Sequence, residues 1–311
     1  MSESSNPPPR RPGHVRPMTA LGALGWTFLA TFTLALLAAF LHSLRGSVNL
    51  VTLIAAQAIA YGLTLFAILR VYARDHSIRA YTGLRLTSAP SYALAFLLGV
   101  AVSFPLTKLQ EIIVERFPMR DTDDIAAELN TAAPGRLAVI IFGMVVLGPF
   151  VEEILFRGAL FTALRAPHRA TGVFSLPFLS SGDEPPSGSS LRPPPTPVEV
   201  STPPRTLEAV VVSTVLFTLI HLHWQVCVPI AIAAVMLAFL RVRSGSLLVS
   251  FAMHAGFNAM PFFAASFAPD LEAVPWTMAA GGAGVSVLLL GALVFLFRGG
   301  EAERARSEEP S

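Results

Sequence analysis

Cysteine is nearly absent from this 311-residue chain. Cys227 stands alone, which excludes an internal disulfide and any metal site built on two thiolates. Charge is scarce too, at 14% of residues against 53% hydrophobic, and that balance excludes an ordinary soluble domain. Aspartate is missing from every long apolar run: Asp75, Asp121, Asp123, Asp124, Asp183 and Asp270 all lie between runs, so no aspartate pair can work inside one. No H-E-x-x-H segment occurs, which excludes a zinc site on a single helix, and no G-x-S-G pattern occurs either. A net charge of only +2 gives no footprint for nucleic acid.

Long apolar runs fill the chain instead. About 20 apolar residues in a helix cross a hydrocarbon core of ~30 Å. Eight runs approach that length, at 21–42, 48–69, 88–106, 137–163, 207–223, 226–240, 247–267 and 275–297, the fifth and sixth being short. The expected fold is all-α, a polytopic transmembrane helix bundle of about eight spans. The first run is longer than the apolar part of a signal peptide and more spans follow it, so it reads as a retained anchor. With the N-terminus inside, 17 of the 22 basic residues fall on the inner side, counting Arg157, and five fall outside, namely Arg45, Lys108, Arg116, Arg120 and Arg136. Cytoplasmic loops carry such an excess, so both termini are expected in the cytoplasm and the protein in the inner membrane as a multi-pass chain.

The expected segments follow from composition. Residues 1–18 are polar, Pro- and Arg-rich, and read as a disordered cytoplasmic tail. Residues 19–136 hold the first three spans and an outer segment, 106–117, whose Leu106, Leu109, Ile112, Ile113 and Phe117 share one helical face. Residues 137–267 form a helical core interrupted by a Pro-, Ser- and Gly-rich insertion at 175–205 that cannot bury a core of its own. Residues 268–298 are the last span, and 299–311 a cytoplasmic tail.

Within the core, Glu152, Glu153 and Arg157 interrupt one of the most apolar stretches, from Gly148 to Gly158. Three charges near a bilayer centre oppose insertion by about 8 to 10 kcal/mol before any pairing. Arg157 lies one helical turn beyond Glu153 and can pair with it, whereas Glu152 points elsewhere. A buried pair that holds the helix accounts for Glu153 and Arg157. It leaves Glu152 as the freer carboxylate and candidate general base.

Two further runs offer imidazoles. Phe217-Thr-Leu-Ile-His221 and His254-Ala-Gly-Phe-Asn258 each set two side chains four residues apart, on one face of a helix. A single His or Asn in a membrane helix commonly makes an interhelical hydrogen bond. Together, though, these residues supply a hydrolytic site: a carboxylate to take a proton from water, a His to position it, and His plus Asn to donate to an oxyanion. His42, His76, His168 and His223 read as span-end, loop or interfacial residues.

These three segments resemble the E-E-x-x-x-R, F-x-x-x-H and H-x-x-x-N motifs of the CAAX protease and bacteriocin-processing (CPBP, or Abi) family of intramembrane proteases, intact and in order over roughly 137–260. The resemblance implies an endopeptidase in which Glu152 and His221 activate water and His254 and Asn258 stabilise the tetrahedral intermediate. Glu153, Arg157 and Phe217 would support them. The substrate implied is a membrane-associated peptide or protein, either lipidated or carrying a C-terminal sorting tail. The Ala, Pro and Arg bias points to a high-GC bacterium, where prenylated C-a-a-X substrates are not expected.

Several alternatives stay open on the residues alone. Glu152, His221 and His254 form a His₂Glu set able to bind Zn²⁺ with a position left for water. The same residues can act without metal, which leaves His254 to serve the oxyanion, and no cofactor is assigned. Ser250 shares a face with His254, but serine in a membrane helix commonly bonds its own backbone. A non-catalytic immunity, peptide-binding or transport protein could carry the same charges, although a proton relay needs them at several depths. Depth also poses a puzzle. Counted at 1.5 Å per residue, Glu152 and His254 fall about 8 and 10 Å from the inner surface, while His221 falls nearer the outer one.

Overall fold

The computed structural model describes residues 15–46, 49–118, 127–129, 131–167, 205–221, 223–267 and 273–307. The Pro-rich segment 175–204, His168 and residues 1–14 of the N-terminal tail lie outside them. Among the described residues there is no strand. Nine helices among the described residues carry the fold: α1 (Ala20–Arg45), α2 (Leu50–Tyr72), the short α3 (Ile78–Thr82), α4 (Ala89–Arg116), α5 (Pro134–Arg165), α6 (Thr206–Leu219), α7 (Trp224–Ser244), α8 (Leu247–Phe267) and α9 (Trp276–Ser307). Seven of them are long and apolar enough to cross a membrane. Large side chains such as Phe28, Leu36, Leu63, Val287 and Phe295 stay exposed on these helices, as expected where lipid is the solvent.

Helix ends follow local chemistry. Thr19, Asn49 and Ser77 cap α1, α2 and α3 by accepting from the N–H groups of Gly22, Thr52 and Ala80. Gly46, Gly83 and Gly245 close α1, α3 and α7 in the left-handed region at φ of 72°, 72° and 65°, where a Cβ is strained.

Three expectations are revised. The fifth run forms only the 14-residue α6, too short to span, and it stops at Leu219 rather than 223. Segment 106–117 makes no helix of its own, since it is the last part of α4. It is tied inward, because Glu111 accepts from the Val274 N–H at 2.8 Å and the Lys108 ammonium lies over the Trp276 ring. The last residues of the N-terminal tail are packed: Met18 is buried and its N–H donates to Ala163 at 2.9 Å, while the Arg16 N–H donates to Tyr72 at 3.0 Å. At the other terminus, 299–307 continue α9.

These contacts gather one end of the bundle. The start of α1 meets the end of α5. The Arg205 N–H, just before α6, donates to the Arg165 carbonyl at 3.3 Å, and the Leu247 N–H at the start of α8 donates to Gly83 at 2.9 Å. Helices α6 and α7 therefore form a hairpin that leaves this arginine-rich end and returns to it. Helix α9 runs back along α4, with Trp276 beside Lys108 and Gly282 against Ala101, so it too finishes at that end. Pro105 lacks the N–H that would have bonded Ala101, and the backbone of Gly282 comes against that freed carbonyl, where any Cβ would collide.

The same kind of approach holds α8 on α4. A Cβ on Gly99 would overlap the Met253 carbonyl, and one on Gly256 would overlap that of Phe96. Small residues let membrane helices touch backbone to backbone. This seam sets the height of the residue after Met253, which is His254.

Candidate active site

Helix α5 is interrupted twice by wide π-type turns, Gly143–Leu147 and Ile154–Leu160, which bracket Glu152 and Glu153. In the first, the Gly148 N–H reaches back five residues to Gly143 rather than four to Met144, and the next residue, Pro149, has no N–H to give. The Met144 carbonyl instead accepts from Asn258 Nδ2 of α8 at 3.0 Å. In the second, the Phe161 N–H reaches back to Phe156 rather than Arg157. The Arg157 carbonyl accepts from Arg241 Nε of α7 at 3.2 Å. Each wide turn thus frees a backbone acceptor that a neighbouring helix takes up.

The two glutamates have different surroundings, as helical geometry requires. Glu153 and Arg157 are fully buried and paired, Nη1 to Oε1, at 3.0 Å. The guanidinium also donates to the Ala234 carbonyl at 3.4 Å and lies 3.9 Å above the centre of the Phe217 ring. The same Glu153 Oε1 sits 3.2 Å from His254 Nδ1, which fixes that imidazole. Glu152 meets no cation of this kind. Its Oε1 accepts from the neutral amide of Gln57, on α2, at 2.6 Å, and its Oε2 faces His254 Nε2 at 3.7 Å.

His221 stands two residues past the end of α6. Its Nδ1 is 2.9 Å from the Phe217 carbonyl, one of the acceptors a helix leaves without a partner in its last turn. With Nδ1–H donated there, the neutral ring presents Nε2 as an acceptor. The Phe217 ring meets both imidazoles edge-on, with centroids 5.0 Å from His221 and 5.7 Å from His254.

Glu152, Phe217, His221, His254 and Asn258 line one cavity of about 700 Å³, whose remaining walls are apolar. Leu129, Leu137, Pro261 and Phe262 also line it, so it extends toward the end of the bundle opposite the arginines. The depth puzzle is resolved by α5, whose 32 residues would measure roughly 48 Å and exceed the core. From the shared arginine-rich end, Glu152 is about 20 Å from Arg165 and His221 about 22 Å from Thr206.

The structure places the seven sequence-derived residues in one neighbourhood, with Glu153 and Arg157 behind the cavity wall. Gln57 was not among them. Its signal was the single amide within α2, a side chain that carries no titratable group. Ser250 donates Oγ–H to the Leu247 carbonyl at 2.9 Å, the backbone bond expected of it. His223 is exposed and stands just before α7, outside the cavity. Among the described residues no three His, Cys, Asp or Glu side chains are grouped to hold a metal ion. His254 Nδ1 is engaged by Glu153, which leaves Nε2 as the ring nitrogen facing Glu152.

Residues 134–181 and 196–260 match the family model for type II CAAX prenyl endopeptidases, Rce1-like. This region, about a third of the chain, contains all three motifs and bears out the resemblance they carry. No curated protein and no solved structure matches the chain.

Proposed function

Starting from a membrane chain whose helical core is Rce1-like, we propose that it is an intramembrane endopeptidase using water activated by Glu152, without a metal. The observation that carries this reading is the contrast between the glutamates. Glu153 is neutralised by Arg157, whereas Glu152 holds a carboxylate oxygen toward a cavity shared with His221, His254 and Asn258.

Glu152 takes a proton from water that His221 Nε2 orients, and the oxygen attacks the scissile carbonyl carbon. The amide of Asn258 has two N–H donors and gives one to Met144, so the other serves the oxyanion. His254, whose ring Glu153 orients through Nδ1 at 3.2 Å, is assigned beside Asn258 at the oxyanion. The proton held by Glu152 then passes to the leaving amine as the C–N bond breaks. Gln57 is assigned to aim Glu152. Gln57→Leu is expected to lower kcat by about 10- to 100-fold with KM little changed, as read from peptide hydrolysis by the purified protein.

The substrate class follows from access. The positive-inside rule sets the arginine-rich end in the cytoplasm, together with the start of α1 and the end of α9. The cavity is then reached from the opposite side, which suits trimming of exported peptides or C-terminal tails rather than cytoplasmic prenylated proteins. Mass-spectrometric mapping of peptide ends in membrane and periplasmic fractions tests this, comparing cells with and without the protein. New ends on exported segments are expected. Unchanged ends would return the chain to the binding or immunity class, and activity lost to a chelator and restored by stoichiometric zinc would overturn the metal-free mechanism.

A further inference from the structure

A second cavity of about 700 Å³ lies at the arginine-rich end, far from Glu152. Arg16, Arg85, Arg165 and Arg241 line it, and no carboxylate among the described lining residues does. They come from four places in the chain: the segment before α1, the linker before α4, the end of α5 and the end of α7. Three are exposed around the rim. Arg241 forms the floor and is 8% exposed.

Arg241 is committed but not satisfied. Its Nε donates to the Arg157 carbonyl and its Nη2 to that of Thr82 at 3.4 Å. Of five guanidinium donors, the other three have no partner among the described residues. Burying this charge is costly, and Arg165 and Arg85 repel it more strongly than the Glu153 carboxylate attracts it. Nevertheless the frame around it is fixed. Gly83 has no Cβ, and one there would overlap the Arg241 guanidinium. The Arg85 carbonyl accepts from Ser246 Oγ at 2.5 Å, tying the linker before α4 to the turn before α8. A general excess of positive charge on one membrane face does not need a buried guanidinium.

We propose that Arg16, Arg85, Arg165 and Arg241 form a binding site for a phosphate group. Several guanidiniums around a cavity match the multiple oxygens of phosphate, which can accept paired hydrogen bonds from each. Two sources share this chemistry: the phosphodiester of an anionic lipid headgroup, for which basic pockets between helices at the cytoplasmic side are suited, and free phosphate.

The test uses the full chain in neutral detergent. Native mass spectrometry compares phosphatidylglycerol, diacylglycerol with the same acyl chains, and inorganic phosphate. Wild type is expected to bind phosphatidylglycerol at least about tenfold tighter than diacylglycerol. Arg85→Gln/Arg165→Gln, which leaves the buried Arg241 in place, is expected to lose that preference while eluting as a folded species. Arg70→Gln/Arg74→Gln alters the same end outside the cavity and is expected to keep it. Binding of inorganic phosphate alone, with the same dependence on Arg85 and Arg165, would support the site and name free phosphate as its source. Equal binding of the charged and uncharged lipid with no phosphate bound, or equal loss in both double variants, would overturn the proposal.

Discussion

Glu152→Gln is expected to leave the chain folded and at normal abundance while lowering peptide hydrolysis by about 10²- to 10⁴-fold, the usual range for a positioned general base. The substitution keeps the shape of the side chain and an oxygen able to accept from Gln57 Nε2, now 2.6 Å from Glu152. What it removes is the proton acceptor. Because Glu153 and Arg157 pair with each other, the charge balance of the wall behind the cavity is untouched. The comparison is kcat for a cleaved peptide in detergent, with circular dichroism and binding of the same peptide as controls. A rate within a few-fold of wild type, with binding intact, would remove Glu152 from the role of base.

The second large effect falls on stability. Arg157→Met is expected to destabilise the folded protein by about 3 to 5 kcal/mol, because it strands the buried Glu153 carboxylate. It also deletes the bond to the Ala234 carbonyl and the stacking over Phe217. Glu153→Gln/Arg157→Met takes away both charges and is expected to recover much of the loss, since the uncompensated charge is the costly part. Thermal unfolding in detergent measures both. A double variant less stable than Arg157→Met alone would mean that Glu153 does not depend on Arg157 as its counter-charge.

The helical fold and the family were legible in the sequence because each rests on a local pattern. Apolar runs of span length give helices, and E-E-x-x-x-R gives a paired and an unpaired carboxylate from the turn of a helix alone. The meeting of the residues was less legible. The depth of His221 was misjudged because run length was equated with membrane thickness, whereas α5 exceeds the core and α6 falls short of it. Gln57 and Arg241 were missed for a related reason. One is uncharged and the other sits at the end of a run, and their importance comes from carbonyls or carboxylates on other helices. Helical periodicity also assumes bonds four residues back, so it cannot show where the ladder slips to five.

The two wide turns in α5 make its residue count matter in an unusual way. Each holds a residue more than a regular helix needs at that point, so the segments on either side keep the phase they would have without it. Loss of a single residue from Gly143–Leu147 or Ile154–Leu160 would let the ladder close regularly and leave Glu152 facing the cavity. Loss of one from the regular stretch between them, Gly148–Glu153, would turn one flank against the other by about 100°. A deletion scan of α5 is therefore expected to show its sharpest gap between the two wide turns, with the turns themselves more forgiving of a lost residue.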